Sequence, residues 1–195
     1  MICFTASKSF GQTNPNNIPK PPTAKLKIYE PFIGRYNMTS DYGGLKFNGT
    51  IEIKPVIKGW YVEQTILVKS EDSKIDREFR MMVTYDSVQS KYRVWRFETL
   101  PVIPFETTLR TEGSDIILEM TVPPLKEGGP QEIIYNRYSM VSKDQMKILS
   151  EVRSLDGKVI EHVGVSNATR IQQKPWIIAA NIGFPKQQLS ANIEL

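Results

Sequence analysis

Between residues 32 and 170, apolar and polar side chains change places at nearly every step, in ten strand-length runs separated by short turns. Successive side chains of an extended strand point to opposite faces, so this two-residue period assigns each residue to a core or to solvent. In one run Phe105, Thr107, Leu109 and Thr111 alternate with Glu106, Thr108, Arg110 and Glu112; in the next Ile116, Leu118, Met120 and Val122 alternate with Asp115, Ile117, Glu119 and Thr121. Met146, Ile148, Ser150 and Val152 form a third inward set, and Phe47, Gly49, Ile51 and Ile53 a fourth. Strand starts fall near Phe32, Lys46, Trp60, Ile75, Tyr92, Phe105, Asp115, Glu132, Gln145 and Lys158, one strand plus one turn apart. No helical stretch is long enough to cross over a sheet. The pattern therefore predicts an all-β protein, a single antiparallel up-and-down barrel of about ten strands.

The punctuation agrees. Asp156-Gly157 between alternating runs signals a two-residue hairpin with positive φ, and Gly113-Ser114 is a weaker signal of the same kind. Only residues 123–130 give a connection of lid-like length, which reads either as a gate at one mouth or as an idle surface loop. Residues 1–31 and 171–195 fall outside the strand pattern. Pro15, Pro19, Pro21 and Pro22 make residues 13–23 a disordered lead, and Trp176-Ile177-Ile178-Ala179-Ala180 is far too short for a bilayer span and is expected to pack on the barrel.

Composition narrows the class without naming a function. At 195 residues, with 40% hydrophobic and 24% charged residues, the chain suffices for one globular domain. Its net charge of +4 is spread among Glu and Asp, with no Lys/Arg-rich run, which argues against nucleic acid. Ile2-Cys3-Phe4-Thr5-Ala6 and the small residues Ser9 and Gly11 resemble the back half of a secretory signal cut before Gln12. Two readings stand: a secreted or periplasmic protein, or a ragged cytoplasmic N-terminus. Cys3 is the only cysteine, which excludes an intramolecular disulfide.

Polar residues on the inward face are the sharper clues. Arg77 falls among Ile75, Phe79, Met81, Val83 and Tyr85, Glu161 falls between Val159 and Val163, and Gln64 between Val62 and Ile66. An unpaired charge in such a place costs several kcal/mol, so Arg77 and Glu161 are expected either to pair or to meet a polar group of a ligand. His162, the sole histidine, is directed outward with Lys158 and Ser166 by the same alternation. No metal cluster, nucleophile elbow, phosphate loop or other cofactor motif is present. Asn37-Met38-Thr39 and Asn48-Gly49-Thr50 fit the glycosylation sequon, a pattern short enough to arise by chance.

Three stretches, Phe32-Ile33-Gly34-Arg35-Tyr36, Gly59-Trp60-Tyr61-Val62-Glu63-Gln64, and Tyr85-Asp86 leading into Lys91-Tyr92-Arg93-Val94-Trp95, resemble a family of uncharacterised lipocalin-like (calycin-type) barrel proteins, often bacterial and described only as a domain of unknown function. The resemblance implies a barrel of eight to ten strands with room for a small molecule. It carries no agreed activity. A neighbouring family, the nitrobindins, binds haem through a histidine on a late strand; His162 alone could match, and its outward direction counts against that role.

The leading expectation is thus a noncatalytic protein that binds a small, mainly apolar molecule inside the barrel. Its wall would comprise Trp60, Gln64, Ile66, Arg77, Phe79, Met81, Tyr85, Phe105, Leu118, Met120 and Glu161, with Arg77 orienting an acidic group. Two alternatives are an enzyme using Glu161 as acid or base beside Arg77, and an interaction module with a filled core.

Overall fold

In the computed structural model, which describes residues 20–99, 107–122 and 129–172, ten strands form one closed antiparallel barrel in which each strand pairs with its neighbours in sequence and the first with the last. The strands are β1 (Gly34–Tyr42), β2 (Leu45–Val56), β3 (Tyr61–Ser70), β4 (Asp76–Asp86), β5 (Lys91–Glu98), β6 (Thr107–Glu112), β7 (Asp115–Val122), β8 (Glu132–Ser142), β9 (Gln145–Ser154) and β10 (Val159–Arg170). All ten begin within two residues of the starts read from the alternation. Closure leaves no free sheet edge to satisfy, which is how a long meander avoids edge-to-edge association.

Turns and wall follow from local chemistry. Gly113 and Gly157 take the positive φ that their hairpins require, at 61° and 84°. Gly49 and Gly164 serve a different need. A Cβ on Gly49 would lie 2.0 Å from the Leu67 carbonyl oxygen, and one on Gly164 would lie 2.2 Å from that of Asp41, so these positions let neighbouring strands bend tightly. Two register shifts flank His162 in β10, and the second reverses the alternation beyond it. Ser166, expected outside, is consequently buried inside the barrel.

The two ends of the barrel differ. At the lower end, ahead of β1, a short helix α1 (Thr23–Leu26) and the 3₁₀ turn Lys27–Phe32 lie where periodicity placed only a lead. Helical residues carry no two-residue signal, and Pro31 sits inside the turn. These segments bury Leu26, Tyr29 and Phe32 against Tyr36, Ile53, Val62 and Val83. Tyr36, fully buried, donates its hydroxyl hydrogen to the Phe32 carbonyl at 2.9 Å. Arg170 stacks on the Tyr36 ring and hydrogen-bonds the carbonyls of Pro31 and Ile33, tying the end of β10 to the plug. Each such side chain contributes roughly 1.5–3 kcal/mol of burial.

β5 and β6 meet differently from the other neighbours: among the described residues they share the single register pair Val94 and Thr107, whereas β4 and β5 share eight. The expected lead upstream of residue 20, the lid-like loop at 123–128, Phe105, Cys3 and the tail beyond residue 172 lie outside the described residues.

Candidate functional site

Above the plug the barrel is not filled. A cavity of about 580 Å³ runs from mid-barrel to the upper rim, lined by 26 residues drawn from all ten strands and the β3–β4 turn, of which 15 are apolar. Its volume lies within the roughly 300–1,000 Å³ of small-molecule sites. A filled core is therefore not what the inward alternation builds here, because ten strands enclose more width than these side chains occupy.

The cavity floor is a hydrogen bond across the barrel. Gln64 on β3 donates from Nε2 to the Tyr138 hydroxyl on β8 at 3.1 Å, joining strands on opposite sides of the ring. Both are buried, and burial pushes the Tyr138 phenol above its ordinary pKa, with only partial opposition from Gln64 and Arg96. Beneath it Tyr29 is also raised by its own burial, with Tyr138 and Tyr92 adding to the effect. Other interior polar groups are likewise matched. Ser150 donates to Asn136 Oδ1 at 2.7 Å, and Ser40 donates to Ser166, which also meets the Tyr42 hydroxyl at 3.2 Å.

Four charged groups also line the cavity. Arg96 and Glu98 on β5 form an ion pair at 2.5 Å, with the Arg96 guanidinium over the Phe79 ring. Arg77 and Glu161 also line the cavity, on β4 and β10, and no ion pair joins them. The expected Arg77–Glu161 pair is thus corrected: β4 and β10 are separated by three strands on one side and five on the other, and each side chain reaches the rim alone. With Arg96 and Glu98 they give the cavity wall two positive and two negative charges.

Of the residues expected in the wall, Gln64, Ile66, Arg77, Phe79, Met81, Leu118, Met120 and Glu161 line the cavity. Trp60 and Tyr85 do not. Trp60 follows the 3₁₀ turn Ile57–Gly59 at the lower end, where its carbonyl accepts from Thr84 at 2.6 Å. Tyr85 packs edge-on against Tyr92 with the Lys25 ammonium over its ring, so the plug occupies the space that alternation assigned to it. His162 is exposed on the outer face, its Nδ1 3.1 Å from Glu151 Oε1, which places the one histidine away from any group held inside.

Sequence reading passed over Tyr42, Arg96, Asn136 and Tyr138, all in the lining. Continuing the β5 alternation from Val94 would have found Arg96. The cross-barrel partner of Gln64 had no local signal, as 74 residues separate the two. Among the described residues no group of three or more His, Cys, Asp or Glu could hold a metal ion, and no helix is long and apolar enough to cross a membrane.

Fold and interior together define a closed ten-stranded antiparallel β-barrel with a small-molecule-sized cavity. No protein-family model matches the chain, and no curated protein matches it. Among solved structures it is similar to an S-type phycobiliprotein lyase from Guillardia theta, at 13% identity over 77% of this chain and 94% of that one, with a TM-score of 0.49. It is also similar to a de novo designed fluorescence-activating β-barrel, at 16% identity over 75% of this chain and 98% of that one, TM-score 0.38. A redesigned β-barrel matches at 12% identity over 75% of this chain and 96% of that one, TM-score 0.33.

Proposed function

We propose that this protein is a noncatalytic binding protein of lipocalin-like (calycin-type) character that holds one small, mainly apolar molecule in the upper half of its barrel. The observation that carries the reading is the unfilled cavity of about 580 Å³ above the Gln64–Tyr138 hydrogen bond. Three methionines, Met38, Met81 and Met120, share its wall with Leu, Ile and Val, and unbranched thioether side chains adapt to a flexible apolar body. Arg77 at the rim, with no ion pair among the described residues, supplies the charge that orients an acidic group. An acid–base role for Glu161 beside Arg77 has no contact behind it. Native mass spectrometry of protein purified from its own host tests the proposal: a co-purifying lipid-like mass is expected, and a consistently empty barrel contradicts it.

A further inference from the structure

The charges of the cavity wall divide into a matched pair and two unmatched groups. Arg96 and Glu98 hold each other on β5. Arg77, half-buried, and Glu161, exposed, line the same cavity, and among the described residues neither side chain has an ion pair or a hydrogen bond. Arg77 is the second residue of β4 and Glu161 the third of β10, strands that both start at the end away from the plug. Strand register fixes how the two stand to each other. Followed through β3, β2 and β1, the row of Arg77 reaches β10 at Ala168, seven residues from Glu161. Followed the other way, through β9, β8, β7, β6 and β5, the row of Glu161 reaches β4 at Val83, six residues from Arg77. With strands about 4.8 Å apart, about 3.3 Å per residue and a tilt of about 40°, the two routes measure roughly 30 and 35 Å around the ring. Arg77 and Glu161 therefore stand on opposite sides of a lumen roughly 20 Å across between backbones, too far apart to pair.

We propose that these two facing charges select a zwitterionic amphiphile, with its acidic group on Arg77, its ammonium group on Glu161 and its apolar tail in the cavity below. This rests on the binding reading above and deepens it. The four wall charges cancel, so a plain acid would add an unbalanced negative charge to an apolar site, opposite the Glu161 carboxylate. A plain amine would add an unbalanced positive charge opposite Arg77. A head group that carries both adds none, and it gives each unmatched side chain a partner that the fold does not.

Calorimetric titration with dodecylphosphocholine, dodecyl phosphate and dodecyltrimethylammonium, each below its micelle-forming concentration, tests this with one tail and three head groups. The full chain, Glu161→Gln and Arg77→Leu are compared, with folding of each checked by circular dichroism. Dodecylphosphocholine is expected to bind the unaltered protein about tenfold tighter than either singly charged probe. Glu161→Gln should erase its margin over dodecyl phosphate without weakening dodecyl phosphate itself. Arg77→Leu should weaken both phosphate-bearing probes and leave dodecyltrimethylammonium no weaker. Binding with no preference for the zwitterion, or a preference that survives in Glu161→Gln or in Arg77→Leu, overturns the head-group inference and leaves the binding reading intact. Failure of the folded, unaltered protein to bind any of the three probes overturns both.

Discussion

The lower and upper halves of this barrel share strands and alternation, yet one is packed and the other hollow. Below the Gln64–Tyr138 bond, helix α1 and the 3₁₀ turn bring Leu26, Tyr29 and Phe32 into the lumen, and Arg170 fastens them. Above it no segment of the described chain enters, and the inward side chains line a space instead of filling it. The strands set the width. What distinguishes a core from a pocket is whether ten helical residues beside the barrel supply the missing volume.

Truncations should separate the halves most clearly. Phe32→Ala removes a ring with 1% exposure from the packed end and is expected to cost about 3–5 kcal/mol in chemical denaturation, the range for a large aromatic deleted from a core. Phe79→Ala in the cavity wall should cost less than about 2 kcal/mol, because its ring already borders open space. Equal losses would erase the distinction between floor and pocket.

Alkaline titration probes the floor alone. Tyr29 and Tyr138 have native pKa values raised above the unfolded value near 10, so the folded state holds protons that the unfolded chain gives up. Their stabilising share is complete below pH 10 and is lost as pH rises beyond it, by up to about 1.4 kcal/mol per tyrosine per pH unit. Phenolate absorbance from these two should appear only together with loss of the barrel's circular dichroism.

The boundary between the halves is tested by Gln64→Leu, which strands the Tyr138 hydroxyl and should cost about 1–3 kcal/mol, whereas Gln64→Leu combined with Tyr138→Phe should recover most of that loss. The smallest stability effect is expected at the rim. Arg77→Leu breaks no ion pair found among the described residues and should change unfolding free energy by less than about 0.5 kcal/mol. Its effect should appear instead as weaker binding of acidic probes to the cavity.

The upper half was the more legible in the sequence. Alternation reports a side chain's face, and at Ile66, Arg77, Phe79, Met81, Leu118 and Met120 that face borders the cavity. The same rule failed for Tyr85, where the face was right but the plug fills the lumen, and for Trp60, which lies beyond the strand in a turn. Ser166 was misdirected because a bulge adds a residue and inverts everything after it. Gln64 was visible as a polar exception, but its partner was not, since contacts across a lumen depend on closure and not on local order.

Saturable binding of a fluorescent apolar probe, compared with that of Leu118→Trp, in which an indole projects into the lumen, tests the hollow upper half most directly. One probe per chain, with affinity lost in the folded Leu118→Trp protein, is the predicted result. No saturable binding, or binding unchanged by the indole, would contradict it.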